Sequence, residues 1–271
     1  MRAFYVEADY APREGYVLSQ REKDTGRALR GNKIWKNIRG SVVDRPMPVC
    51  GDDQVLLKVG AAGICGTDQH LLRKDADGYT MYDGHSKYPI ITGHEFSGEI
   101  VEVGKNVKKL AVGDLVSVES MHWCGQCDAC RRGMFNQCKD LEEPGLTYDG
   151  GFAEYAAVNA KYCYKLNDIM NFYPVMAKSL AIGGKTAQIG HTVGLTPVDV
   201  FGWQWNAAII AGSNGQSGQG IYPDVIALMA SGRIDMRKMC TGRYNLEDID
   251  EGMKIMAGKV LISTEYPRLK K

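Results

Sequence analysis

The 271-residue sequence has no apolar run approaching the ~20 residues that a membrane span requires. It has almost no charge imbalance: 33 basic residues face 32 acidic ones, a net of +1. That leaves no electrostatic footprint for nucleic acid or for an anionic membrane, so neither is expected as a partner. The opening residues, MRAFYVEADYAPREG, lack an apolar signal core. No secretion signal is expected, and a cytoplasmic location is the default. No internal repeat is visible, and GSNGQSGQG (212–220) is the one low-complexity stretch, expected as a flexible loop. With 44% apolar and 24% charged residues, the composition suits a globular chain able to bury a core.

What the chain does have is cysteine, eight in all. In a reducing compartment, clustered cysteines point to metal or catalysis before disulfides. Four of them lie in CGQCDACRRGMFNQC: Cys124, Cys127, Cys130 and Cys138, spaced C-x2-C-x2-C-x7-C. Zinc takes four thiolates in a tetrahedron, and cysteines this close can wrap one ion from a single loop. The Gly, Asp and Arg between them are not core residues, which argues against four unrelated buried thiols. An iron–sulfur cluster is the competitor. The first three cysteines fit a C-x2-C-x2-C run, but the fourth is too distant and no proline follows it. Four thiolates leave no open coordination position, so a zinc here would be structural.

A second constellation joins GICGTDQH (63–70) to GHEFSG (93–98). Cys65 and His94 are good zinc ligands, and Glu95 is a third candidate. Thr67 and His70 share a turn with Cys65, so a proton leaving a substrate hydroxyl could pass through them to solvent. Each residue also has a plainer reading: a buried cysteine is usually a small hydrophobe, and a histidine can be a satisfied core residue.

Around these motifs the pattern reads as a mixed α/β chain. Arg13–Pro46 is polar and irregular, a long surface excursion. QVLLKV (54–59) is a strand, followed by a Gly-rich turn and a short helix at the GICGTDQH motif. Residues 73–89 read as a loop. GEIVEVGKNVKKLAVGDLVSVES alternates apolar and polar residues between glycines, predicting short antiparallel strands as in a small barrel. GGFAEYAAVNAKYCYKL returns to strand character. VMAKSLAI reads as helix, GGKTAQIG as turn plus strand, and WNAAIIAGS as a buried strand. YPDVIALMASGRI and LEDIDEGMKIMAGK read as helices, the latter with Leu246, Ile249, Met253 and Met256 at helical spacing. KVLIST is the final strand.

GICGTDQH, GHEFSGEIVEVGKNVKKLAVGDLV, the four-cysteine lobe and GGFAEYAAV together resemble the zinc-dependent medium-chain alcohol and polyol dehydrogenases. The match runs in order from about Pro46 to Leu166. The N-terminal excursion, MHWCGQC and GSNGQSGQGIYPDVIALMASG are similar to the scyllo-inosose 3-dehydrogenase-like branch; sorbitol and threonine dehydrogenases are more distant cousins. The resemblance implies a GroES-like β-barrel catalytic domain with a Rossmann-type cofactor domain. It implies two zinc ions, one catalytic on Cys65 and His94 with Glu95 as ligand or near-ligand, one structural on the four cysteines. It implies Thr67 and His70 as proton relay, NAD or NADP as cofactor, and Lys259 near the cofactor pyrophosphate. Asp68, Tyr79, Tyr82, His85, His122 and Trp123 lie on segments bordering the family's substrate cleft, though a solvated loop is the other reading for the hydroxyl-rich stretch. Asp114 is expected to shape a turn, and Cys50, Cys163 and Cys240 to be ordinary thiols.

One absence cuts against the family pattern. A dinucleotide-binding domain needs a strand, G-x-G-x-x-G and a helix, and the sequence contains no such run. Gly218 and Gly220 give the first spacing, but Pro223 occupies the third position. GGKT (183–186) is not the end of a phosphate loop either, because Ser179 replaces its first glycine. The resemblance resumes near Pro174, so roughly a hundred residues, several βαβ units, are missing between the two matched parts. The missing part would carry the acidic residue of a Glu-Pro pair that often completes the catalytic zinc site. The expected organisation is 1–173 as catalytic domain with its zinc lobe, 174–218 as a cofactor-domain remnant, and 219–271 as a return to the catalytic domain. A true deletion, a nucleotide domain lying outside the sequence, and a zinc-binding remnant without catalysis all remain open. The expected function is zinc-dependent, NAD(P)-linked oxidation of a secondary alcohol, a cyclitol or sugar-type polyol, by a homodimer or homotetramer. The alternative is a zinc-stabilised scaffold with no dehydrogenase activity.

Overall fold

The computed structural model describes residues 1–166, 185–188, 209–212, 221–235, 240–254 and 259–263. They fall into two compact units. The first takes in the described residues of Met1–His122, Glu142–Val175 and Tyr222–Lys271, and the second those of Trp123–Leu141 and Met176–Ile221.

The first unit opens with β1 (Arg2–Tyr10), α1 (Gln20–Thr25), β2 (Trp35–Asp44) and β3 (Gln54–Ile64). There follow α2 (Gly66–Leu72), β4 (Ile90–Ile91), β5 (Glu95–Val103) and β6 (Leu115–Val118). β1 lies between β2 and β4 in one antiparallel sheet. β3 is the axis of the other sheet. It pairs with β5 along its length, and its first half pairs with β7 (Tyr155–Asn159). β5 continues through β6 to β8 (Cys163–Lys165). Strands on both flanks explain why β3 is buried almost throughout, with Val55, Leu57 and Ala61 at 0% exposure. Leu57, Ile100, Val116 and Phe152 belong to the core, each side chain stabilising the fold by about 1.5–3 kcal/mol through apolar burial.

Two expectations change here. GAAGI (60–64) is not a turn: its small residues extend β3 to Ile64, past a register shift between Val59 and Ala61. β5 approaches closely just before this segment: a Cβ added to Gly98 would lie 2.3 Å from the Lys58 carbonyl oxygen. Nor is Arg13–Pro46 irregular. Ser19 caps α1 in a reciprocal box with Glu22, and Trp35–Asp44 is a ten-residue strand. Its mixed polar sequence hides the strand because only Trp35 and Ile38 are buried. The excursion is pinned to the loop after α2 through Arg13 to Asp75 and Asp77, and through Arg30 to Asp83 at 2.7 Å.

In the second unit, α3 (Asp128–Arg131) and a 3-10 turn at Phe135–Gln137 carry the cysteine-rich lobe. Separately, β9 (Lys185–Gln188) and β10 (Ile209–Gly212) pair in parallel, an arrangement that needs a crossover connection. The VMAKSLAI helix, most of the 174–218 segment, residues 213–220 and Met256 lie outside the described residues.

The chain returns to the first unit with α4 (Ile221–Ala230), β11 (Cys240–Asn245), α5 (Ile249–Lys254) and β12 (Lys259–Ser263). β12 pairs with the far half of β3, Val260 opposite Ile64. Leu246 and Ile249 are buried, and Gln69 of α2 donates to the Met253 carbonyl at 2.6 Å. The C-terminal segment therefore braces the strand and helix on either side of Cys65. Among the described residues, no helix is long and apolar enough to cross a membrane.

Candidate metal centres

The four-cysteine lobe is built by tight local turns. Gly125 takes φ 78°, a left-handed conformation that glycine adopts without strain. It turns the chain between Cys124 and Cys127. Sγ separations are 3.5 Å for Cys127–Cys130, 3.9 Å for Cys127–Cys138 and 4.0 Å for Cys124–Cys130. These are far too long for disulfides, and all eight cysteines are free. A tetrahedron with metal–sulfur bonds of about 2.3 Å has corners about 3.8 Å apart. The spacing therefore fits one four-coordinate ion, whereas a cluster would spread the thiolates over separate irons. Backbone amides support thiolate charge: Cys124 N donates to Cys138 Sγ at 3.2 Å, and Gln126 N and Cys127 N donate to Cys124 Sγ at 3.4 Å. Backbone donation from Cys130 and Lys139 pulls the Cys127 thiol down to about 6.

The second centre is assembled by strand register. Gly63 of β3 stands opposite Glu95 of β5. The end of one strand and the start of the other thus bring Cys65 beside His94. Donor atoms of Cys65, His94 and Glu95 all lie within 4.8 Å of one another. One thiol, one imidazole and one carboxylate form a mixed donor set that suits zinc, with a fourth position open. Asp68 stands behind them, 1% exposed, with Oδ1 3.5 Å from His94 Nδ1. Its Oδ2 accepts the Cys65 amide at 2.8 Å. Burial pulls the His94 imidazolium down, but Asp68 and Cys65 outweigh it and hold the group well above its ordinary value. A carboxylate behind a histidine ligand fixes the ring and raises its basicity.

Thr67 and His70 both lie on α2, three residues apart and so on one face, and both are partly buried. Lys259 begins β12, opposite Cys240 of β11; its side chain lies outside the described residues. Tyr82 is buried, and its phenol is pushed well above its ordinary value, first by burial, then by Glu143, Tyr88, Cys65 and Asp68. Tyr79 is covered instead by the Arg13 guanidinium, 3.8 Å from the ring centre. His85 is partly buried, and burial lowers its basicity.

His122 is a satisfied core histidine. Its Nε2 lies 2.7 Å from the Glu119 carbonyl, which can only accept, so Nε2 carries the proton. Nδ1 then accepts from the Tyr148 hydroxyl at 2.7 Å, and the ring stacks on Tyr162. Trp123 packs against Phe135 in the lobe. Asp114 shapes its turn by accepting the Ala111 amide at 2.7 Å. The sequence gives no role to Glu143, a third acidic group near His94 after Asp68 and Glu95. No motif marks it, and only the folded chain brings it there.

Residues 51–168 match the alcohol dehydrogenase GroES-like domain. A scyllo-inosose 3-dehydrogenase from Thermotoga maritima is 33% identical over 244 residues, 87% of this chain and 57% of that protein. A D-altritol 5-dehydrogenase from Agrobacterium fabrum is 35% identical over 124 residues, 44% of this chain and 37% of the relative. The solved structure of a candidate alcohol dehydrogenase from Thermotoga maritima matches with a TM-score of 0.84 at 24% identity, covering 97% of this chain and 100% of that one, a likeness of fold. The chain is similar to alcohol and polyol dehydrogenases, and the family-model match lies in residues 51–168. It spans little more than half the length of the scyllo-inosose 3-dehydrogenase it matches, 57%.

Proposed function

We propose that this chain is the catalytic part of a zinc-dependent, NAD- or NADP-linked dehydrogenase acting on a secondary alcohol of the cyclitol or sugar-polyol type. The observation that carries the reading is the convergence of Cys65, His94 and Glu95, with Asp68 behind His94. When bound, zinc would supply Lewis acidity toward the alcohol and the nicotinamide would accept hydride. Cys65, His94 and Glu95 would hold the first ion; Cys124, Cys127, Cys130 and Cys138 would hold a second, structural one. Asp68 orients the His94 ring. Thr67 takes the substrate's proton, and His70, on the same face of α2, hands it to solvent. Lys259 contributes to the cofactor side.

The substrate class is supported by the names of the scyllo-inosose and altritol relatives. Among solved proteins of this fold, one from Sinorhizobium meliloti carries NADP and one from Escherichia coli carries NADH. A second reading, a zinc-stabilised module without dehydrogenase activity, is favoured by one observation: the sequence lacks a G-x-G-x-x-G run. Fluorescence titration of the purified chain with NADH and NADPH separates the two. Saturable binding supports the dehydrogenase; its absence leaves the non-catalytic module. If the chain turns over, Thr67→Ala should cripple turnover with zinc content intact, and near-normal turnover would remove Thr67 from the relay.

A further inference from the structure

Two consecutive glutamates after the cysteine lobe have opposite surroundings. Glu142 is anchored: Arg27 of the excursion reaches it at 2.5 Å, and the Thr147 hydroxyl donates to it at 2.7 Å. No hydrogen bond or ion pair among the described residues engages the Glu143 carboxyl group. Its backbone is fixed all the same. Glu143 N donates to Thr147 Oγ1 at 2.8 Å, and Thr147 N returns a bond to the Glu143 carbonyl at 2.8 Å.

This turn is pressed onto the metal-donor strand. A Cβ added to Gly145 would meet the Gly93 backbone at 2.7 Å, and one added to Gly150 would meet the Gly93 carbonyl oxygen at 2.1 Å. Gly93 directly precedes His94. Glu143 is thus held beside the cluster without belonging to its set of three donors. Burial pushes its carboxyl group up while His94 draws it back, and Glu143 in turn raises the buried Tyr82 phenol, which also feels Cys65 and Asp68. A partly buried carboxyl group without a partner is unfavourable for folding, and such groups concentrate at functional sites.

We propose that Glu143 is a substrate-binding residue of the Cys65–His94–Glu95 site: its carboxyl group hydrogen-bonds a hydroxyl adjacent to the one presented to those three side chains, selecting vicinal diols over simple alcohols. The inference rests on the alcohol-oxidation reading above. The Arg27–Glu142 ion pair positions the turn that carries it.

The test uses the cobalt(II)-loaded chain, whose visible spectrum changes when an oxygen ligand reaches the open position at Cys65. Wild type, Glu143→Ala and Glu143→Gln are titrated with cis-1,2-cyclohexanediol and with cyclohexanol. The expected result is a diol Kd about tenfold lower than the monoalcohol Kd in wild type, the scale of one hydrogen bond to a charged group. In Glu143→Ala that preference disappears while the cyclohexanol Kd and cobalt content hold. Glu143→Gln keeps the side chain's shape and should lose most of the preference. An unchanged preference in both variants overturns the proposal. Equal weakening of both alcohols, or loss of cobalt, also overturns it by assigning Glu143 to the metal site itself. If neither alcohol perturbs the wild-type spectrum, the alcohol-oxidation reading fails and this inference with it.

Discussion

Asp68 Oδ1 stands 3.5 Å from His94 Nδ1, and the other oxygen of the same carboxylate accepts the Cys65 amide. One buried side chain thus touches two of the three donors in the candidate catalytic cluster. Its removal should loosen both. Asp68→Ala is expected to lower metal affinity at Cys65, His94 and Glu95 by about 10- to 100-fold. Competition against a chromophoric chelator measures this, and an unchanged affinity would make Asp68 a packing residue only.

The two centres should lose metal independently. Cys127→Ser should remove about one equivalent of zinc per chain and destabilise the lobe, because structural zinc contributes directly to folding. Cys65→Ser should remove about one different equivalent and leave the lobe's resistance to proteolysis intact. Elemental analysis with limited proteolysis distinguishes the two. A single substitution that strips both metals would contradict separate sites.

Glu22 gives the excursion a pH dependence with a defined sign. Its carboxylate accepts from Tyr16 OH, Ser19 N, Ser19 Oγ and Leu29 N at 2.8–3.0 Å. Burial pushes its pKa up, but these donors win and the folded value is lowered. The stabilisation is therefore complete above the unfolded value near 4.3. It is lost as pH falls through the lower folded value. Glu22→Ala should cost about 2–4 kcal/mol at neutral pH. That gap between wild type and variant in urea unfolding should narrow toward pH 3. A gap that widens on acidification would show that the donors do not act on the charged form.

Cys163 should be chemically silent. It is 8% exposed, and burial pushes its thiol up to about 12. At pH 8, iodoacetamide should leave it unmodified in the native chain and modify it once the chain is unfolded, because only the thiolate attacks. Peptide mapping by mass spectrometry reads this site by site. Native labelling at the rate of a free thiol would show that the sheet opens at this strand.

Legibility in the sequence followed distance along the chain. The lobe was readable because its four donors fall within fifteen residues and local turns suffice to gather them. The Cys65–His94 pair was readable only through recurring motifs. The physical link is the β3–β5 register, which places Gly63 opposite Glu95. The excursion was misread as irregular. The Ser19–Glu22 capping box was open to reading, whereas β2 buries too few side chains to show alternation. His122 shares its sequence neighbourhood with the lobe, yet its two hydrogen bonds make it structural.

By itself the sequence determined the donor chemistry: which thiols, imidazole and carboxylate exist, and that four thiols can close on one ion through short-range turns. Only the tertiary structure decided how the carboxylates divide their work. Asp68 orients His94 because helix α2 starts where β3 ends. Glu142 pairs with an arginine 115 positions away, while the Glu143 carboxyl group meets no partner among the described residues. Adjacent residues of one type carry no sequence signal that separates them. The difference arises from the neighbours each one meets, and the Arg27 that engages Glu142 is distant along the chain.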